Sequence, residues 1–171
     1  MKKKAIIVSI KGLRLTAKEK ILLSDEYPWG LILFKRNIKS LSQIQSLIND
    51  IKKLTKNKNF PILIDEEGST VSRLTNIINH NISANYFGNL YLINKKLCIQ
   101  LYKKYLDSLC KCLKRIGLNI NTIPVLDVLR VKTSSVIGTR SFSNNPNIVK
   151  ILGQITVNHC HKNKIISVIK H

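Results

Sequence analysis

Short apolar runs alternate with stretches of helical spacing along the chain. Ala5 to Ile10 alternates weakly and stops at Gly12, predicting a first strand. Thr16-Ala17-Lys18-Glu19 sets a hydroxyl at an N-cap and a carboxylate three residues on, so a helix is expected from there to about Ser24. Pro28 and Gly30 interrupt it, and Gly30-Leu31-Ile32-Leu33-Phe34 reads as a strand buried on both faces. Behind Ser40, residues Leu41, Ile44, Leu47, Ile48, Ile51 and Leu54 recur at helical steps and predict a helix with one buried face. Lys52 and Lys53 suit the negative end of its dipole. Phe60-Pro61-Ile62-Leu63-Ile64 is a third strand. From Ala84 to Arg115 the pattern is helical, broken near Gly88 or Asn94, with Leu97, Leu101, Tyr105, Leu109 and Cys112 as its apolar stripe and Gly117 as its C-cap. A fourth strand lies within Leu118 to Val128. Pro146 opens a helix that runs to about Lys162, and Ile165 to Ile169 is a fifth strand.

Regular alternation of strand and helix predicts a parallel sheet with crossover helices. Polar residues recur at the carboxyl ends of the strands: Lys35-Arg36, Asp65, Asp127 and Lys170-His171. Side chains converging on one rim of a ring of strands is the (β/α)8 arrangement, which takes about 250 residues when complete. The expected class is therefore α/β, a (β/α)8 TIM-barrel type that is incomplete, with about the first five strands of the barrel spread over residues 1–171. No Gly-x-Gly-x-x-Gly and no phosphate loop is present, so nothing favours a nucleotide site, and no cofactor is expected.

Composition changes this picture in two ways. The chain carries 29 basic and 9 acidic residues, a net charge of +20. Such an excess attracts polyanions. Yet the lysines are spread over every predicted helix and loop, few aromatics interleave them, and no nucleic-acid-binding motif appears. Weak non-specific adsorption is expected and specific nucleic-acid binding is not. The basic head Met1-Lys2-Lys3-Lys4 is followed by an apolar stretch too short for a signal peptide and broken by Lys11, and no run reaches membrane-span length. A cytoplasmic protein without a membrane partner is the expectation. Cys98, Cys110, Cys112 and Cys160 then read as reduced, partly buried thiols. Cys110 and Cys112 point different ways on a helix, as do His159, Cys160 and His161, so no metal site is expected.

The candidate chemistry centres on Asp65-Glu66-Glu67-Gly68 after the third strand. Three adjacent carboxylates repel one another unless cations or hydrogen-bond donors face them. Arg73 is the nearest basic candidate. Asp65, tucked against the strand end, reads as a binding residue, whereas Glu66 and Glu67 read equally as solvated loop acids.

Five stretches in order resemble a known family: Gly30-Leu31-Ile32-Leu33-Phe34-Lys35-Arg36-Asn37, Ile64-Asp65-Glu66-Glu67-Gly68, Pro124-Val125-Leu126-Asp127-Val128, Ile137-Gly138-Thr139-Arg140-Ser141-Phe142, and Lys170-His171. Together they resemble the N-terminal catalytic domain of glycoside hydrolase family 3, of the bacterial β-N-acetylhexosaminidase type that trims N-acetylglucosamine from cell-wall muropeptides in peptidoglycan recycling. The resemblance implies a carbohydrate substrate and a sugar subsite made by Asp65, Arg73, Arg140, Lys170 and His171. Arg140 could instead pair with a loop carboxylate. Where the family usually reads Asp-Gln-Glu-Gly-Gly-Arg, this chain has Asp65-Glu66-Glu67-Gly68-Ser69-Thr70, and an arginine is lost at Thr70. The family's histidine acid/base and aspartate nucleophile lie beyond its Lys-His pair, so residues 1–171 are expected to hold the sugar-binding half and no catalytic residue. Two consequences are expected: an isolated chain without turnover, and self-association through exposed first and fifth strand edges. The alternative is a non-catalytic basic module that binds sugar or polyanions.

Overall fold

A computed structural model describes residues 3–171, so Met1 and Lys2 of the basic head lie outside the described residues. Five strands, β1 (Lys4–Val8), β2 (Pro28–Leu33), β3 (Ile62–Ile64), β4 (Ile120–Asn121) and β5 (Ile166–Ser167), pair in parallel in the order β1-β2-β3-β4-β5. Between them run α1 (Ala17–Asp25), α2 (Leu41–Leu54), α3 (Ala84–Ile93), α4 (Lys95–Ile116) and α5 (Pro146–Lys162). Each strand is added on the same side as the last. With right-handed crossovers, that order keeps every helix on one face, which is barrel winding rather than a doubly wound sheet. The expected class, an incomplete TIM-barrel-type α/β fold, is what forms.

Local signals account for most boundaries. Thr16 and Glu19 close the capping box that starts α1. Ser40 accepts from the Gln43 amide at the start of α2, Pro146 occupies the first turn of α5, and Gly117 ends α4 at φ 104°. Leu31, Leu33, Ile62 and Ile64 from the sheet are fully buried in one core cluster with Ile44 and Ile51 of α2. No helix among the described residues is long and apolar enough to cross a membrane.

The fourth strand lies within the expected stretch and is two residues long, with Val125 and Lys170 adding an isolated bridge. Of the two breaks offered for the long helical stretch, the one at Asn94 forms. Two expectations need correction. The fifth strand shortens to Ile166–Ser167. The stripe on α4 is displaced: Cys98, Tyr102, Leu106, Leu109, Cys110, Leu113 and Ile116 are buried, while Leu97 and Leu101 stay 41% and 38% exposed. The helix packs against both α3 and α5, and the face turned into that angle is the buried one.

Gly88 lies inside α3 for a packing reason. A Cβ there would sit 1.7 Å from the Phe142 carbonyl oxygen, so the helix approaches the 141–143 segment as closely as backbone allows. We expect Gly88→Ala to destabilise the fold by about 1–3 kcal/mol, the usual range for overpacking. A lower urea midpoint at unchanged m-value checks it, and an unchanged midpoint contradicts it.

Candidate functional site

Five segments deliver side chains to the carboxyl-end rim of the sheet: the loop after β3, its continuation to Ser83, the residues after β4, the 3₁₀ turn Gly138–Arg140, and the two residues at the end of the chain. Asp65 sits at their centre. Its Oδ1 accepts from the Thr122 hydroxyl and from Lys170 Nζ at 3.2 Å, and its Oδ2 lies 3.4 Å from Arg73 Nη2. Lys170 Nζ also reaches Thr122 Oγ1 at 2.8 Å and Glu67 Oε1 at 2.5 Å. Arg140 grips Glu67 with two N–H groups, Nε to Oε2 at 2.7 Å and Nη2 to Oε1 at 3.0 Å. A planar fork of this kind matches a carboxylate closely. His171 Nδ1 pairs with Asp127 Oδ2 at 2.8 Å.

The solvated reading of Glu66 and Glu67 is overturned. Glu66 is fully buried, and its four acceptor positions are filled by Ser72 Oγ (2.6 Å), His80 Nε2 (2.7 Å), and the amides of Arg73 (2.8 Å) and Leu74 (2.9 Å). This carboxylate therefore folds the loop that carries Arg73. The Tyr105 hydroxyl contacts the other nitrogen of His80 at 3.4 Å, and burial followed by the nearby Glu66 charge pushes that phenol upward. The side chain of Glu67 is 7% exposed and carries Arg140 and Lys170.

Backbone geometry holds the acids in place. Asn121, fully buried, clamps Glu66 by accepting from its amide at 3.0 Å and donating to its carbonyl at 2.9 Å. Asn119 makes the equivalent pair with the Ile62 amide (2.7 Å) and the Phe60 carbonyl (3.0 Å). Two asparagine side chains thus extend the short ladder between β3 and β4. Gly68, at φ 136° with room for no Cβ beside the Ile82 carbonyl, turns the chain away after Glu67. Phe34, just after β2, lies under Arg36 at 4.6 Å and Arg73 at 5.9 Å, so its ring steadies the second guanidinium. Thr70, where the family usually has arginine, contacts the Thr139 hydroxyl at 3.0 Å.

All five residues named from the sequence stand on this rim. Asp65, Arg73 and Lys170 meet directly, Arg140 joins them through Glu67, and His171 stands apart on Asp127. Thr122 is the member that sequence reasoning missed, and Glu67 the one it left open. A hydroxyl directly after the fourth strand, in the place Asp65 holds after the third, was the available signal for Thr122.

Asp65 and Glu67 meet Arg73, Arg140 and Lys170, and Asp127 pairs with His171, so acids and bases nearly balance around Asp65 on a strongly basic chain. Among the described residues, Arg73 Nε is buried without a hydrogen-bond partner. Behind Glu67 lies a cavity of about 20 Å³ lined by Phe87, Tyr102, Tyr105, Ile123, Arg140 and Phe142. That holds a water at most, so a larger ligand has to sit on the open rim. No group of three or more His, Cys, Asp or Glu side chains among the described residues could hold a metal.

Burial alone would raise the pKa of Asp65, but the Thr122 hydroxyl, the Lys170 charge and Arg73 outweigh it and hold the carboxyl below its ordinary value. A depressed folded pKa contributes stability that is complete above about pH 4 and is lost as pH falls through the folded value. Urea midpoints measured from pH 7 to pH 3 should show native protein and Asp65→Asn converging below about pH 4. A gap that persists undiminished to pH 3 contradicts the assignment.

Comparison with known proteins adds three findings. The family described as Glycosyl hydrolase family 3 N terminal domain matches residues 3–171. Among curated relatives, a beta-hexosaminidase from Hydrogenovibrio crunogenus is 31% identical over 97% of this chain and 46% of its own length. Another from Nitrosomonas eutropha is 30% identical over 97% of this chain and 47% of its own. Among solved structures, NagZ from Neisseria gonorrhoeae in complex with N-trifluoroacetyl-D-glucosamine superposes with a TM-score of 0.89 at 29% identity, covering 99% of this chain and 50% of that one. M tuberculosis LpqI, at 22% identity and a TM-score of 0.78, shares the fold over 96% of this chain and 46% of its own. The chain spans about half the length of the relatives it matches.

Proposed function

The chain belongs to glycosyl hydrolase family 3, and from that premise we propose that its rim grips the terminal N-acetylhexosamine of a β-linked glycan, as the sugar-binding half of a β-N-acetylhexosaminidase-type site. The near-neutral, donor-rich rim carries this reading. Sugar hydroxyls both donate and accept, so a carboxylate flanked by cationic forks holds them through charge-assisted hydrogen bonds without excess charge of either sign. In this role Asp65 accepts from sugar hydroxyls, and Arg73, Lys170 and His171 complete the grip around it. Arg140, committed to Glu67, shapes the rim beside them. N-acetylglucosamine from cell-wall muropeptides as the sugar, and peptidoglycan recycling in the cytoplasm as the setting, are the finer part of the same proposal.

Residues 1–171 bind this sugar without cleaving it. Retaining hydrolysis needs a nucleophile and an acid/base about 5 Å apart across the sugar. Asp65 and Glu67 are each tied up by basic side chains, Glu66 is buried inside its own loop, and Asp127 is paired with His171, so none is free to donate a proton or attack. The test is calorimetric titration of N-acetylglucosamine into the full chain. Binding should weaken about 10- to 100-fold in Asp65→Ala, the loss expected for charge-assisted hydrogen bonds. A chromogenic N-acetylglucosaminide should stay intact with the pure chain. Salt-sensitive binding to DNA with no sugar affinity would instead favour a polyanion-binding module, and hydrolysis that tracks with the pure protein defeats the non-catalytic reading.

The same residues carry a second proposal, self-association. β1 and β5 are the end strands of the sheet, with Ile6 and Ile7 each 47% exposed and Ile166 59% exposed. Beside β5 an apolar groove of about 550 Å³ is lined by Leu126, Val128, Val149, Val157 and Ile169, among others. Sedimentation velocity is expected to show concentration-dependent association. A single monomeric species up to high concentration overturns it.

A further inference from the structure

Helices α4 and α5 run side by side and are pinned at three levels. Tyr102 Oη meets Thr156 Oγ1 at 2.6 Å, Asp107 meets His159 at 3.1 Å and Asn163 at 2.7 Å, and the sulfurs of Cys110 and Cys160 stand 3.9 Å apart. Both thiols are free and fully buried, and neither takes part in the rim. We propose that Cys110 and Cys160 are an oxidisable pair that closes to a disulfide under a small peroxide, stapling α4 to α5. This inference stands on the helix interface alone and is independent of the sugar reading.

Geometry supplies the first condition. The two sulfurs stand 3.9 Å apart across an interface pinned by the Tyr102–Thr156 and Asp107–His159 contacts, so closure to about 2.05 Å has a short gap to cross. Electrostatics supplies the second. The Cys110 S–H donates to the Cys160 sulfur, which favours the Cys160 thiolate and raises Cys110, whose burial raises it further. The buried Ser167 hydroxyl, without an oxygen or nitrogen partner among the described residues, lies beside the same sulfur and adds to the effect. Cys160 is thus the sulfur that attacks. Access supplies the third. Cys160 lies in the last turn of α5, six residues before the two-residue edge strand β5, the end of the sheet with fewest bonds to lose on local opening.

The chemistry balances with peroxide as the oxidant. The Cys160 thiolate attacks one peroxide oxygen and breaks the O–O bond, giving a sulfenic acid and, with one proton, water. The Cys110 sulfur then attacks the Cys160 sulfur, loses its proton and expels the hydroxyl as a second water. Two thiols are oxidised by two electrons and one peroxide is reduced to two waters. Cys98 donates to the Phe87 carbonyl at 3.1 Å, and Cys112 is only partly buried, with its thiol raised by burial and by Glu66.

The experiment titrates the native full chain with hydrogen peroxide near one equivalent, unfolds it, blocks remaining thiols with N-ethylmaleimide and maps peptides by mass spectrometry. Blocked thiols should fall from four to two, with a dithiothreitol-sensitive Cys110–Cys160 peptide two hydrogens lighter than its parts. The melting temperature should rise by about 5–10 °C. The cross-link should survive in the Cys98→Ser, Cys112→Ser double variant and vanish in Cys160→Ser. The peptide map of the native chain decides the matter if a variant fails to fold. The proposal is overturned if Cys110 and Cys160 remain alkylatable while Cys112 gains oxygen, or if the link forms only in denatured protein.

Discussion

A buried carboxylate has to be met by positive charge or by N–H groups, and the order of residues after β3 places three carboxylates where water is largely excluded. Taking such a group out of water costs several kcal/mol unless partners replace the solvent. Much of the rim is the supply of those partners. Glu66 is met by its own loop. Asp65 and Glu67 draw on groups far along the chain, with Lys170 lying 105 residues from Asp65 and Arg140 lying 73 from Glu67. The strands bring the acids and their partners to one end of the sheet, and the pairing then fixes where each loop sits. Removing one acid leaves cations unmatched at another segment, so the rim acts as one electrostatic unit.

This dependence explains what the sequence could and could not reveal. Signals carried within a few residues were legible. Thr16 and Glu19 mark the start of α1, the spacing of Ile44, Leu47, Ile48 and Ile51 marks the buried face of α2, and Pro146 and Gly117 mark helix ends. Asp65 stood out because it directly follows a buried strand, while Arg140, Lys170 and His171 were picked out through the family resemblance. The burial of Glu66 and Glu67 was not legible, because it is decided by donors such as His80, Arg140 and Lys170 that only the folded chain brings near. The same holds for α4, where the buried face depends on two neighbouring helices and the spacing of Leu97, Leu101 and Tyr105 misleads by one position. Asn119 and Asn121 were submerged in an asparagine-rich composition, yet they complete hydrogen bonds that strands of two or three residues leave unmade.

The charge excess also becomes easier to place. Lys52, Lys53, Lys56 and Lys58 line a hollow at the end of α2, which leads into the amino end of β3. The rim lies at the carboxyl ends of the same strands. This lysine hollow and the rim therefore face opposite ends of the sheet, and attraction of polyanions to the hollow does not require occupation of the rim. A sugar reading of the rim and a loose affinity for anionic polymers are physically compatible properties of separate surfaces.

Position at the sheet edge raises a sharper question for Lys170, since edge strands open most readily. Its ammonium is held from the inner side by Asp65, Thr122 and Glu67, and its backbone is bridged to Val125. Leu126 donates to the Lys170 carbonyl at 2.7 Å, and the Lys170 amide donates to the Pro124 carbonyl at 3.2 Å. All of these contacts come from segments closer to the middle of the sheet. Among the described residues, the outer edge of β5 contributes nothing to the placement of this side chain, so the Asp65–Lys170 contact is assembled from the inner strands alone.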